Sequence, residues 1–185
     1  MAGHSILWRR LDLPGHEVAR LEPNSSGWHL TGTSLFSQGE PVRLDYAVTI
    51  NAAWRTEAVR VQGWMGNHRV DIDLKADDTG RWKRDGSLCE TLSGCTDIDL
   101  GFSPSTNLLP IRRLKLSVGE QSRVRAAWLS FPDLTLEPLD QVYRRTAEAV
   151  YRYESAGGNF VANLDVNSEG FVTRYANLWV VEADS

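Results

Sequence analysis

Alternation with a period of two runs through the chain. Over 42–50, Val42, Leu44, Tyr46, Val48 and Ile50 share one face, and Arg43, Asp45, Ala47 and Thr49 share the other. That pattern predicts a strand with one buried side. Residues 68–75 repeat it, setting Val70, Ile72 and Leu74 against Arg69, Asp71, Asp73 and Lys75. Val59, Val61 and Met65 continue it upstream, and Gly66-Asn67 is hairpin-turn chemistry between the two runs. Residues 122–131, 142–153 and 159–166 add long runs rich in β-branched and aromatic side chains, with Gly157-Gly158 separating the last two. Asn167-Ser168-Glu169-Gly170 then turns the chain into a final strand near 171–174. Residues 142–153 also carry a helical stripe, but Tyr143, Tyr151 and Tyr153 on alternate sites favour a strand.

About a dozen strands are too many for one flat sheet. The expected fold is all-β and mainly antiparallel, a single large, strongly curved sheet or incomplete barrel with few or no helices, in one domain over 1–185. Hydrophobic residues make up 42% of the 185 and charged residues 24%, an ordinary globular balance. The net charge of −4 argues against a general affinity for nucleic acid or an anionic membrane, both of which rely on clustered positive charge. No apolar stretch is long enough to span a bilayer, and the first ten residues do not form a signal segment. A cytoplasmic location is therefore expected, with Cys89 and Cys95 as free thiols. Neither those cysteines nor the four histidines have zinc-site spacing, so no metal or other cofactor is expected.

The densest chemistry lies in 94–114. Ser103-Pro104-Ser105-Thr106-Asn107 is turn chemistry. Pro110 disfavours α geometry at Leu109, so no regular helix is expected through Leu108-Leu109-Pro110. If Ile111 begins a strand, Arg112 and Arg113 point to opposite faces. An inward arginine beside Asp97 or Asp99 is either half of a buried ion pair or a donor to a sugar hydroxyl or phosphate. Asp97 and Asp99 lie on one strand face about 6.6 Å apart, near the lower edge of the roughly 6.5–9.5 Å used by inverting glycosidases. Neighbours on one strand nevertheless point the same way and do not flank a scissile bond. The Asp-Ile-Asp-Leu tetrad also occurs twice, at 71–74 and 97–100. No nucleophile-elbow, phosphate-loop, dinucleotide or zinc-protease motif is present.

This segment resembles the signature of a bacterial family named for glycolipid binding. The residues that carry the likeness are Asp97-Ile98-Asp99-Leu100-Gly101-Phe102, Pro104, Thr106-Asn107 and Leu109-Pro110-Ile111-Arg112-Arg113-Leu114. It extends over most of the chain, through Leu44-Asp45-Tyr46, Trp54-Arg55-Thr56, Trp82, Gly86, Gly94-Cys95, Tyr151-Arg152-Tyr153 and Phe160-Val161-Ala162. Two places depart from the family pattern. Tyr175-Ala176-Asn177-Leu178-Trp179 lacks a proline and a glycine between the Tyr and the Leu-Trp, and Glu57 stands where a basic residue is usual. The resemblance implies a large curved antiparallel sheet like that of periplasmic lipoprotein carriers. It implies no catalytic residues.

The leading expectation is thus non-catalytic binding of a lipid-like or glycolipid-like amphiphile in the concave face of the sheet. Arg112, Arg113, Asp97, Asp99 and Asn107 are the candidate polar groups, and Trp54, Trp82, Tyr151 and Tyr153 the candidate walls. The alternatives are a carbohydrate-active or esterase-like hydrolase using the Asp97/Asp99 region, and a self-associating interaction module that pairs as a homodimer.

Overall fold

The computed structural model describes residues 3–185. Its strands run β1 His4–Arg10, β2 Gly15–Pro23, β3 Gly27–Gln38, β4 Glu40–Asn51, β5 Thr56–Met65, β6 His68–Ala76, β7 Trp82–Arg84 and β8 Ser87–Cys89. After a crossing segment follow β9 Asp97–Leu100, the helix α1 Leu108–Leu114, β10 Gln121–Leu129, β11 Leu136–Ala147, β12 Val150–Ser155, β13 Phe160–Val166, β14 Val172–Tyr175 and β15 Trp179–Asp184. All 15 strands belong to one sheet, ordered β8-β7-β6-β5-β4-β3-β2-β1-β15-β14-β13-β12-β11-β10-β9. Two meanders are therefore joined where the first strand pairs with the last.

Chain connectivity alone forces this sheet to curl. Laid flat, its edge strands β8 and β9 would stand roughly 67 Å apart at the usual strand spacing. Yet they are consecutive in sequence, and the eight steps from Cys89 to Asp97 reach at most about 29 Å. The sheet rolls until β9 meets the start of β5, where the Thr56 N–H donates to the Thr96 carbonyl (3.3 Å) and the Ile98 N–H to the Thr56 hydroxyl (3.0 Å). The barrel stays open, as β6, β7 and β8 continue past this meeting point.

The alternation is realised as expected. Val42, Leu44, Tyr46, Val48 and Ile50 are buried along β4, and Val70, Ile72 and Leu74 along β6. The Gly66-Asn67 turn joins β5 to β6. Three local expectations are corrected. Residues 142–153 are not one strand: Glu148 and Ala149 form a turn, and β11 pairs back on β12 with Tyr143 opposite Tyr153. An additional strand, β15, follows the one expected near 171–174. Residues 108–114 do form a short helix, because Pro110 falls in its first turn, where its missing N–H would have had no helical partner.

That helix accounts for the one parallel pairing among the described residues, β9 with β10. Parallel neighbours need a crossover connection, and here the crossover runs through the barrel. Phe102, Ser103 and all of 104–111 are buried inside it. The expected open hollow is filled along its middle by the chain itself.

Candidate functional site

The plug is fastened to both walls. On one side the Ser103 and Ser34 hydroxyls each donate to the Glu17 carboxylate at 2.5 Å, and the Tyr46 phenol lies 2.7 Å from both Glu17 and the Ser105 hydroxyl. Glu17 is 1% exposed, and burial pushes its carboxyl up to about 7 against the pull of the Ser103, Ser34 and Tyr46 hydrogen bonds. On the other side the Tyr143 phenol donates to the Asn107 side-chain oxygen (2.9 Å), and the Thr106 hydroxyl accepts from the Leu100 N–H (3.1 Å).

What stays open lies at the two ends of the plug. The first vestibule, of about 710 Å³, is bounded by Arg145, Glu148, Ala149 and Tyr151 at the β11–β12 turn, and by Val166, Asn167, Ser168 and Gly170 after β13. Ile111, Arg112 and Lys115 of the plug form its floor, and Trp28 and Trp54 its far wall. The second, of about 340 Å³, lies at the opposite ends of β12 and β13, between Tyr153, Ser155, Ala156 and Phe160. It is walled mainly by Trp128, Leu139, Tyr175, Leu178 and Trp179, with Asp99, Ser103 and Asn107 reaching in.

Local chemistry places the tryptophans of the first vestibule. Gly27 sits opposite Asn51, so close that a Cβ there would lie 2.2 Å from the Ile50 carbonyl oxygen. The missing side chain lets β3 begin against β4 and sets Trp28 at the barrel rim. In the β4–β5 turn the Asn51 side-chain oxygen accepts from the Ala53 and Arg55 N–H groups. The turn holds Trp54 at φ 60°, a left-handed geometry that bulky residues seldom adopt. Its indole stacks on Trp28, with ring centroids 5.1 Å apart, and the Arg112 guanidinium lies 4.8 Å over the Trp54 ring.

The sequence candidates therefore separate into three groups. Trp54, Arg112 and Tyr151 meet in the first vestibule. Asp99, Asn107 and Tyr153 meet in the second. Asp99 is surrounded by protein yet keeps surface towards that cavity. Burial raises its carboxyl to about 6, opposed by a hydrogen bond from the Gln141 amide (2.5 Å) and reinforced by the nearby Asp97 charge. Asp97, Arg113 and Trp82 line neither vestibule. Arg113 is in helical rather than strand geometry and makes a forked contact with the Asp97 carboxylate while also donating to the Thr96 hydroxyl (3.0 Å). Trp82 is fully buried, its indole N–H donating to the Cys95 carbonyl (3.0 Å). Asp97 and Asp99 thus have separate environments, not one shared cleft. Both cysteines are free thiols, with Cys95 buried.

Sequence reasoning missed Trp28, Lys115, Arg145 and Glu17. Trp28 and Trp54 are aromatics at adjacent strand ends, and that juxtaposition becomes visible once the β3–β4–β5 hairpins are drawn. Glu17 shares strand parity with Ala19 and Leu21, a charge on an otherwise apolar face.

Comparison with known proteins agrees with this architecture. A DUF1089-family protein from Pseudomonas aeruginosa superposes with a TM-score of 0.78 at 30% identity, over 88% of this chain and 90% of that one. A β-barrel-like protein of the DUF1849 domain from Brucella abortus matches 99% of this chain and 97% of its own with a TM-score of 0.56; at 10% identity the likeness is of fold alone. No curated protein matches the sequence. The model of the family described as "Putative glycolipid-binding" matches residues 5–180. With nearly the whole chain covered, the protein belongs to that family.

Proposed function

We propose that this protein is a non-catalytic binder of a glycolipid-like amphiphile whose sugar head enters the first vestibule. The observation that carries the reading is the vestibule's composition: the stacked Trp28–Trp54 pair and Tyr151 face a plug that contributes Ile111 and Arg112. Such a site offers apolar surface to the carbon face of a pyranose and polar groups to its hydroxyls, the combination that small-molecule sites require. Its volume of about 710 Å³ lies within the roughly 300–1,000 Å³ of such sites. Because the plug fills the middle of the barrel, the ligand's head and the first part of its chain are bound while the rest of the chain stays outside.

Octyl maltoside, titrated below its micelle concentration and followed by tryptophan fluorescence, tests the reading. Saturable binding is expected, weakened by about tenfold or more in Trp54→Ala, in line with loss of an aromatic anchor. Native mass spectrometry against extracted bacterial glycolipids widens the panel. If no amphiphile binds in either experiment, the reading is wrong.

A further inference from the structure

The charges around the first vestibule do not cancel. In a chain of net charge −4, Arg112, Lys115 and Arg145 converge on one cavity whose lining holds a single carboxylate, Glu148. The Arg112 guanidinium lies 4.8 Å from the Trp54 ring centroid and 5.9 Å from that of Trp28, and its Nε is buried with no hydrogen-bond partner among the described residues. Its nearest carboxylate, Glu169, stands 3.4 Å away and is shared with His4 at the same distance. Arg145 donates to the carbonyls of Leu116 (2.9 Å) and Glu148, neutral acceptors that leave its charge uncompensated. Lys115 is exposed, in left-handed geometry at the end of α1, and forms no ion pair among the described residues.

The helix end explains part of this arrangement, because cations are favoured beside its free carbonyls. It does not explain a guanidinium held against two indoles at the cavity floor with a single carboxylate, at 3.4 Å, for a partner. Resting on the amphiphile reading above, we infer that the head group this vestibule selects is anionic: a phosphate, sulfate or carboxylate carried on the sugar. A planar guanidinium suits the forked oxygens of such a group, and Lys115 and Arg145 add charge from the sides.

Calorimetric titration with four probes tests this: octyl glucoside, octyl glucoside 6-phosphate, glucose 6-phosphate and inorganic phosphate. Octyl glucoside 6-phosphate should bind about tenfold or more tighter than octyl glucoside, with the ratio shrinking at high salt. Arg112→Gln and, independently, the exposed Lys115→Gln should each lower that ratio several-fold. Arg69→Gln, which removes an exposed cation on β6 that is not part of the cavity lining, should leave it unchanged. Equal affinity for the two octyl compounds overturns the charge inference and leaves the amphiphile reading standing. If glucose 6-phosphate or phosphate alone binds as tightly as the octyl phosphate, the anion site is upheld and the lipid reading falls. If none of the four binds, both are overturned.

Discussion

Ser103 donates a 2.5 Å hydrogen bond to Glu17 across 86 positions of sequence, tying the plug to the β2 wall at a carboxyl with almost no access to water. A charge in such a place is a liability when ionised. Since the Glu17 carboxyl is raised in the folded state from its ordinary 4.5 to about 7, folding takes up a proton between those values. Its contribution is then fully present below about pH 4.5 and is lost as pH rises through 7.

Glu17→Gln should therefore flatten the pH dependence of stability. The wild-type protein should lose up to about 3 kcal/mol from this group between pH 4.5 and 8, and the Gln variant should lose only the part that the raised Asp97 and Asp99 carboxyls contribute. Calorimetric melting at pH 5 and pH 8 checks it. If both proteins show the same shift in Tm, Glu17 does not control the plug.

The Asp97–Arg113 pair sets a second expectation. The Asp97 side chain is 2% exposed and the Arg113 side chain 17%. Burial pushes the Asp97 carboxyl up, and the Arg113 guanidinium pulls it back only in part. Removing one partner strands the other, so Asp97→Ala should destabilise by about 3 kcal/mol, the lower end for buried pairs because Arg113 retains some water contact. Replacing both residues by apolar ones should recover much of that loss. Urea denaturation of the single and double variants decides it: a double variant no better than the single would mean the plug needs the charges themselves.

Much of the barrel was legible because inward and outward positions alternate strictly in strands such as β4 and β6. The interior crossover was not. Its residues 102–111 are buried on every side, so no amphipathic period marks them, and Pro110 read as a helix breaker is in fact tolerated in the first turn. The same cause split the candidate site. Arg112 and Arg113, expected on opposite faces of a strand, are consecutive helix positions that reach different partners, Trp54 and Asp97. Trp82, expected as a wall, is core, since strand parity tells inside from outside but not lumen from packing.

Trp82 provides the control for that distinction. Truncation to Ala should cost about 3–5 kcal/mol through the cavity created. Trp82→Phe should cost less, mainly the indole bond to the Cys95 carbonyl. At temperatures where the Phe variant remains folded, its affinity for octyl maltoside should match that of the wild type. A Trp82→Phe protein that folds but no longer binds would move the site away from the first vestibule.

Trp54 joins structure and function most directly, through its backbone at φ 60°. A bulky residue in left-handed geometry costs on the order of 1–3 kcal/mol, a strain that persists only where the surroundings enforce it. Glycine adopts that geometry freely, so Trp54→Gly relieves the strain while giving up the stacking on Trp28 and the contact with Arg112. Because the Trp54 side chain is half-buried at the rim, these effects should nearly offset, leaving stability within about 1 kcal/mol of the wild type. Binding should nevertheless fall by about tenfold or more. Chemical denaturation paired with fluorescence titration of the remaining tryptophans reads both quantities. Near-normal stability with lost affinity would show that the turn holds its strained indole for the ligand. A large loss of stability would instead make Trp54 a structural closure of the barrel rim, and its unusual geometry would then have a packing explanation.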